Sequence, residues 1–260
     1  MDIIDAFAWH DAALRDVSVP LSVAVTYLCV CVLHRLYHGD KPSPSCLWPY
    51  TSWFLPYHNL FLSLISLIMF VGASMAVVQK SLNQGAGWLF CEAQDVPDSG
   101  ALEFWSYMYY LSKFYELLDT FIQLIRGRYP PHYVLHAYHH SGVLMMCWAW
   151  LQYRPSLRHI GLIFNVFVHV PMYYYFYLKS RNTDPWWKRY VTKLQIVQFV
   201  FSLVVFMWTV YLVFAQGRTC NNMSYLYIQL FFNVSLLMGF LGVLSSGSKG
   251  KTGGQQKKQK

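Results

Sequence analysis

The composition of this 260-residue chain excludes an ordinary soluble domain. Hydrophobic residues make up 55% of it and charged residues only 12%, whereas soluble domains carry about 25% charged residues. The net charge of +8 does not indicate nucleic-acid binding, because five of the twenty basic residues lie in the last twelve positions and no basic face is interleaved with aromatic side chains. Long uncharged stretches separated by short charged segments are typical of a protein that crosses a bilayer several times.

Apolar windows of about 20 residues predict seven transmembrane helices. We therefore expect an all-α fold, a polytopic membrane bundle occupying residues 17–245. A short segment, 1–16, precedes it and lacks the basic start and cleavage site of a secretory signal. In chain order the predicted spans are 17–33, 60–78, 104–125, 134–151, 159–178, 190–215 and 225–244.

The distribution of Lys and Arg predicts the orientation of the bundle. The loops after the first, third and fifth spans, together with the tail, hold thirteen basic residues, and the opposite side holds five. The side richer in Lys and Arg is normally cytosolic. We therefore expect a lumenal N-terminus and a cytosolic C-terminus, which an odd number of spans requires.

The predicted lumenal loops contain two features that depend on this orientation. Cys91 and Cys220 are the cysteines of the two larger lumenal loops, where oxidation is permitted. We expect them to form a disulfide, and the alternative is a pair of free thiols. Asn222 begins an Asn-Met-Ser sequon and is a candidate glycosylation site.

The C-terminal tail, 246–260, consists largely of Gly, Ser, Gln and Lys, a composition that predicts disorder. Lys257 and Lys258 stand fourth and third from the end. They resemble a dilysine retrieval signal of the endoplasmic reticulum, and the alternative is contact with anionic lipid. We therefore expect an endoplasmic reticulum membrane protein.

The third span carries ionisable residues, which cost about 2.5–3.5 kcal/mol at the centre of a membrane helix and therefore usually pair inside the bundle. Lys113, Glu116 and Thr120 share one helical face, and Asp119 lies one turn from Glu116. Two interpretations remain open for this group: a substrate site, or an ion-pair network that holds helices together.

Histidines form a second group at the start of the fourth span. His136, His139 and His140 lie on one helical face near the predicted cytosolic end. A single histidine would be explained by packing, but three on one face indicate a function.

The fifth and sixth spans carry the last two groups. Asn165, His169 and Tyr173 lie along one stripe of the fifth span, where Pro171 predicts a kink. Gln195 lies near the start of the sixth span, between Thr192 and Gln198 on neighbouring turns. Amides in membrane helices often link neighbouring helices, and we favour that role for Gln195.

These four groups, in this order, resemble the ELO family of fatty acid elongases. The family signatures KxxExxDT, HxxHH, NxxxHxxMYxYY and TxxQxxQ appear here as KFYELLDT, HAYHH, NVFVHVPMYYYF and TKLQIVQF, across residues 113–198. One position departs from the pattern, since Phe176 stands where the family more often has tyrosine.

The resemblance implies an acyltransferase, a very-long-chain 3-oxoacyl-CoA synthase whose helices enclose an acyl tunnel open to the cytosol. Its substrates would be acyl-CoA and malonyl-CoA, with no tightly bound cofactor and no metal. Candidate partners are the reductases and the dehydratase that would complete the elongation cycle. Self-association, acyl chain length and unsaturation are left open.

The resemblance also suggests residue roles. His139 is expected to carry the acyl group, with His136 and His140 orienting it, and His169 is expected to contact the malonyl thioester and the developing enolate. We expect Asn165 to fix the tautomer of His169. Two roles are open for Lys113, attraction of an anionic part of the substrate or pairing with a neighbouring carboxylate. Cys147 is a less favoured nucleophile.

Two other classes are compatible with isolated features of the sequence. A membrane di-iron desaturase or hydroxylase also carries an HxxHH box but needs about eight clustered histidines, and only one such box is present here. A seven-helix receptor or transporter could use the histidines as a relay, yet no inverted repeat is evident.

Overall fold

The computed structural model describes residues 4–40 and 42–256, with side chains as far as residue 244, and over this range the fold is helical, as predicted. The described residues contain no β-strand, only an isolated bridge between Ala8 and Ser99. The α-helices are α1 (Ser18–His38), α2 (Trp48–Gln84), α3 (Ala101–Glu116), α4 (Leu118–Ile125), α5 (Tyr133–Tyr153), α6 (Arg158–Ser180), α7 (Lys188–Gln216) and α8 (Met223–Gln256).

Five of the described helices are long and apolar enough to cross a membrane: α1, α2, α6, α7 and the Met223–Leu244 part of α8. The predicted third and fourth spans correspond to α3 with α4 and to α5, and these carry the ionisable residues and the histidines. Helices α3 and α4 have only 16 and 8 residues, and the histidines of α5 lower its hydropathy. The polytopic helical bundle is therefore confirmed.

Helix α2 is much longer than predicted. The sequence indicated 60–78, but the helix runs for 37 residues, from Trp48 to Gln84, or about 55 Å at 1.5 Å per residue. It continues through Pro56, because a proline removes a single backbone donor and can bend a helix without ending it. The additional turns place Leu55 and His58 in the interior. Helix α2 packs most extensively against α6.

The third predicted span is divided into two helices. Leu117, between α3 and α4, keeps helical dihedral angles, but Leu117 N–H donates to the Phe114 carbonyl and Thr120 N–H to the Leu117 carbonyl, three residues back in each case. This tighter winding separates α3 from α4 at Leu117.

Three segments that we predicted to be lumenal lie at one end of the bundle. The Trp9 N–H donates to the Asp98 carbonyl at 2.8 Å, and its indole donates to Gln152 at the end of α5 at 3.0 Å. The expected disulfide joins Cys91 to Cys220, linking the α2–α3 loop to the α7–α8 loop. Since α3 and α4 lead away from this end, the histidines at the start of α5 lie at the other.

The end of α8 differs from the prediction. The backbone is helical to Gln256, although composition predicted disorder for 246–260. Extending an existing helix costs less than nucleating a new one, and the apolar part of α8 precedes this segment directly. Lys257 and Lys258, the proposed retrieval signal, lie outside the described residues.

Candidate active site

Three of the four motif groups meet in the interior of the bundle, near the end where α4 leads into α5. The innermost contacts involve Lys113, whose Nζ lies 2.7 Å from Glu116 Oε1 and 3.1 Å from Asn165 Oδ1. The Tyr109 hydroxyl donates to the same Asn165 oxygen at 2.7 Å, and Lys113 Nζ lies 4.1 Å from the centre of the Tyr109 ring. All four side chains are buried. The ion pair lies within α3, and the hydrogen bonds of Lys113 and Tyr109 to Asn165 link α3 to α6.

This arrangement corrects one expected role. Asn165 was expected to fix the tautomer of His169, but its oxygen accepts from Lys113 and Tyr109 instead. The group next to His169 Nδ1 is Glu116, whose Oε1 is 3.6 Å away, longer than a hydrogen bond. Helical spacing placed Asn165 and His169 on one stripe of α6. Their neighbours come from α3: Lys113 and Tyr109 bind Asn165, and Glu116 lies near His169.

The histidines of α5 pack against one another. The rings of His136 and His140 are 4.3 Å apart between centroids, and those of His139 and His140 are 5.4 Å apart. His136 Nε2 shares a hydrogen bond of 2.9 Å with the Thr120 hydroxyl, which also bonds the Tyr27 hydroxyl at 2.8 Å. Helices α1, α4 and α5 are thereby linked through one threonine.

One ring nitrogen of His139 is buried without a hydrogen-bond partner among the described residues. This nitrogen is Nδ1, and the same holds for His140 Nδ1. Electrostatic interactions connect His139 with His169, Lys113 and Glu116. The two imidazoles that we expected to meet therefore lie in the same electrostatic surroundings.

Asp119 on α4 is connected to His169 through Tyr173. The Tyr173 hydroxyl donates to Asp119 Oδ2 at 2.7 Å, and the Tyr173 ring meets the His169 ring edge-on at 5.3 Å. Asp119 thus engages α6 rather than Lys113, and the two carboxylates of the first motif have separate partners. Glu116 neutralises Lys113, while Asp119 holds Tyr173.

Two members of this site were not identified from the sequence. His58 was counted among the scattered histidines, yet its Nε2 lies 2.7 Å from Asp119 Oδ1. Tyr27 reaches Thr120 from α1. A buried histidine in an apolar helix was a usable signal for His58, but the predicted second span began at residue 60 and therefore left His58 outside it. A single tyrosine in α1 gave no signal.

The remaining motif lies apart from these contacts. Gln195 donates from its Nε2 to the Met172 sulfur at 3.5 Å and so links α7 to α6. The role of Gln195 stays a prediction. Cys147, the alternative nucleophile, is buried two turns deeper than the histidines and interacts with Tyr109 and Lys113.

The opposite end of the bundle contains a second buried group of charges. Arg158 forms two hydrogen bonds with Glu103, and its Nε lies 3.8 Å from Glu92, which also pairs with Lys80. Two cations and two carboxylates balance one another there. Glu92 follows the disulfide directly, so this network and the Cys91–Cys220 bond secure the same loop. A structural role follows for both.

Two further expectations concern groups outside this interior. The Asn222 side-chain amide donates to the Tyr153 carbonyl and to Asn221, and its glycosylation stays a prediction. Within residues 4–40 and 42–256, no three His, Cys, Asp or Glu side chains are grouped as ligands of a metal ion.

Comparison with known proteins identifies one family. Residues 12–246 match the profile of the GNS1/SUR4 family, ELO. The chain is 31% identical over 244 residues to fatty acid elongase A of Dictyostelium discoideum, covering 92% of this chain and 86% of that protein. It is 38% identical over 198 residues to fatty acid elongase sre1 of the same organism, covering 75% and 71%. Against very long chain fatty acid elongase 5 of Homo sapiens it is 31% identical over 198 residues, covering 74% and 63%.

Proposed function

Because the chain belongs to the GNS1/SUR4 (ELO) family, whose members similar to it are fatty acid elongases, we propose that it is the condensing enzyme of fatty acid elongation. It joins an acyl-CoA to malonyl-CoA and yields 3-oxoacyl-CoA, CO2 and CoA. The observation that carries this proposal is the unpartnered, solvent-shielded Nδ1 of His139, within range of electrostatic interaction with His169 and Lys113.

The first step is acyl transfer to His139. A neutral imidazole nitrogen attacks the thioester carbonyl, the carbon–sulfur bond breaks, and the imidazole proton leaves with the thiolate as CoA thiol. A desolvated imidazole is well suited to this step, because burial disfavours the charged form. The hydrogen bond between His136 and Thr120 limits rotation of the His136 ring. This supports an orienting role for His136.

The second step is decarboxylative condensation. Malonyl-CoA loses CO2, and its enolate carbon attacks the acyl-imidazole. The bond to His139 breaks, and the imidazole nitrogen takes up one proton. His169 is the candidate donor to the enolate oxygen. Lys113 is already bound to Glu116 and Asn165, so we assign it an electrostatic role and not direct capture of substrate.

The test follows the protein through both steps. Purified protein is incubated with an acyl-CoA alone, and the adduct is located by mass spectrometry; malonyl-CoA is then added. We expect an acyl group on His139, consumed to form 3-oxoacyl-CoA with one CO2. His139→Ala abolishes both steps, whereas Cys147→Ser retains them. A product formed by His139→Ala protein, or an adduct on Cys147, would exclude this mechanism.

The same experiment separates the other two classes. A desaturase would introduce a double bond and consume O2 without malonyl-CoA, and a receptor or transporter would release no CO2. Full activity of protein purified in chelator would support the proposal that no metal or other cofactor is needed.

We also propose that the bundle lies in the endoplasmic reticulum membrane, with its N-terminus lumenal. The Cys91–Cys220 disulfide supports this, because such bonds persist in an oxidising compartment. Protease protection of tags at the two termini tests the orientation, and replacing Lys257 and Lys258 by Ser tests retrieval. Co-purification tests association with the other enzymes of the cycle and with a second copy of the chain.

A further inference from the structure

His58 is a buried histidine that none of the four motifs includes. Its side chain is 0% exposed and lies on α2, against the Phe54 ring. Both ring nitrogens have partners: Nε2 lies 2.7 Å from Asp119 Oδ1, and Nδ1 lies 3.2 Å from the Tyr115 hydroxyl. A ring fixed on both sides has no freedom to act as a nucleophile, so its effect must reach the site through its partners.

Asp119 connects His58 to α6. Its two oxygens have different donors, His58 on Oδ1 and the Tyr173 hydroxyl on Oδ2 at 2.7 Å. The Tyr173 ring in turn meets the edge of His169. A continuous series of contacts therefore runs from α2 through α4 to the histidine that we assign to the malonyl half of the reaction.

The carboxylate is the element of this series that His58 controls. Hydrogen bonds to a charged group are worth about 1.5–3 kcal/mol, and a mostly buried carboxylate oxygen without a donor retains its desolvation cost. Without His58, Asp119 would rotate toward another donor, and Tyr173 would lose its fixed acceptor. Other titratable groups near Asp119 are Tyr27, Tyr115, His136 and His169.

The acyl carrier lies on a different set of contacts. Tyr27, Thr120 and His136 join α1, α4 and α5 by hydrogen bonds, and His58 bonds none of the three. Within the part of the chain that the structure describes, no hydrogen bond joins the two sets, although Asp119 and Thr120 are neighbours in α4. Perturbing His58 should therefore affect the two half-reactions unequally.

We propose that His58 is a positioning residue for the condensation step, which through Asp119 holds Tyr173 and thereby sets the ring of His169 for the malonyl substrate. This inference rests on the proposed function. A purely structural link between α2 and α4 would instead reduce the yield of folded protein and affect both half-reactions alike.

The experiment compares the two half-reactions in His58→Leu, which removes the donor, and His58→Gln, which retains an N–H donor at similar reach. His38→Gln is the matched control, because His38 is an exposed histidine at the end of α1. Protein acylation by acyl-CoA alone reports the first half-reaction, and malonyl-dependent product formation reports the second.

For His58→Leu we expect acylation of His139 within about twofold of wild type and malonyl-dependent turnover lowered by about 10- to 100-fold. His58→Gln recovers most of the turnover, and His38→Gln is unchanged. Combining His58→Leu with Tyr173→Phe gives no further loss beyond the more severe single variant, because both act on one series of contacts.

Three results would overturn the inference: wild-type turnover in His58→Leu, equal losses in both half-reactions, or additive losses in the double variant. If His58→Leu is not recovered folded, His58→Asn, whose shorter amide cannot reach Asp119, takes its place with the same expected outcomes. Wild-type protein that forms no 3-oxoacyl product would refute the proposed function itself, a result distinct from any change confined to the His58 variants.

Discussion

Replacing Lys113 by Met removes the cation of a buried ion pair. Lys113 and Glu116 are each 1% exposed, and Nζ lies 2.7 Å from Oε1. In the variant, Glu116 keeps only the Ser112 hydroxyl at 3.2 Å and His169 Nδ1 at 3.6 Å. Its second oxygen already has no partner among the described residues. An almost uncompensated carboxylate would remain inside the bundle.

The expected cost is about 3–5 kcal/mol of unfolding free energy, the usual effect of removing one partner of a buried pair. Removing the charge of both partners, as in Lys113→Met with Glu116→Gln, should restore most of that loss, because no buried charge is then left unpaired. The coupling between the two substitutions is therefore expected to be large and of opposite sign to the single effects.

The assay is unfolding of the detergent-solubilised protein, followed by intrinsic tryptophan fluorescence, for both single variants and the double variant. Lys193→Met on α7 is the control, since Lys193 is exposed and its loss should change stability by less than about 0.5 kcal/mol. If Lys113→Met were as stable as this control, or if the double variant lost the sum of both single effects, the reasoning about the ion pair would be wrong.

Three further predictions concern contacts elsewhere in the bundle. Thr120→Val removes the hydroxyl that binds His136. We expect the rate of acylation by acyl-CoA to fall about 10-fold and the unfolding free energy to fall by about 1 kcal/mol. An unchanged acylation rate would contradict the orienting role of His136. Replacing Cys91 and Cys220 by Ser removes a disulfide between residues 129 positions apart and should lower the unfolding free energy by about 2–5 kcal/mol. Thermal unfolding with and without reductant measures this loss. Reductant should destabilise the wild type and leave the variant unchanged. Arg158→Met leaves Glu103 unpaired at the end of the bundle opposite the α5 histidines. We expect a lower yield of folded protein, with the turnover per folded molecule within about twofold of wild type. A selective loss of turnover would mean that this end takes part in the reaction.

The sequence by itself determined the class of protein and the family. Scarcity of charge and seven apolar windows were sufficient for a polytopic helical bundle, because lipid forces the backbone to satisfy its hydrogen bonds within helices. Lys113, the α5 histidines and His169 were recognisable because ionisable groups in membrane helices are costly and therefore rarely accidental.

The tertiary structure decided which side chains meet. Helical periodicity fixes the residues that share a face, but not the rotation of one helix against the next. Asn165 thus binds Lys113 rather than His169, and Tyr27 from α1 completes the bonds of Thr120. His58 enters the site because α2 continues through Pro56, and packing on α6 rather than local propensity determines where such a helix ends.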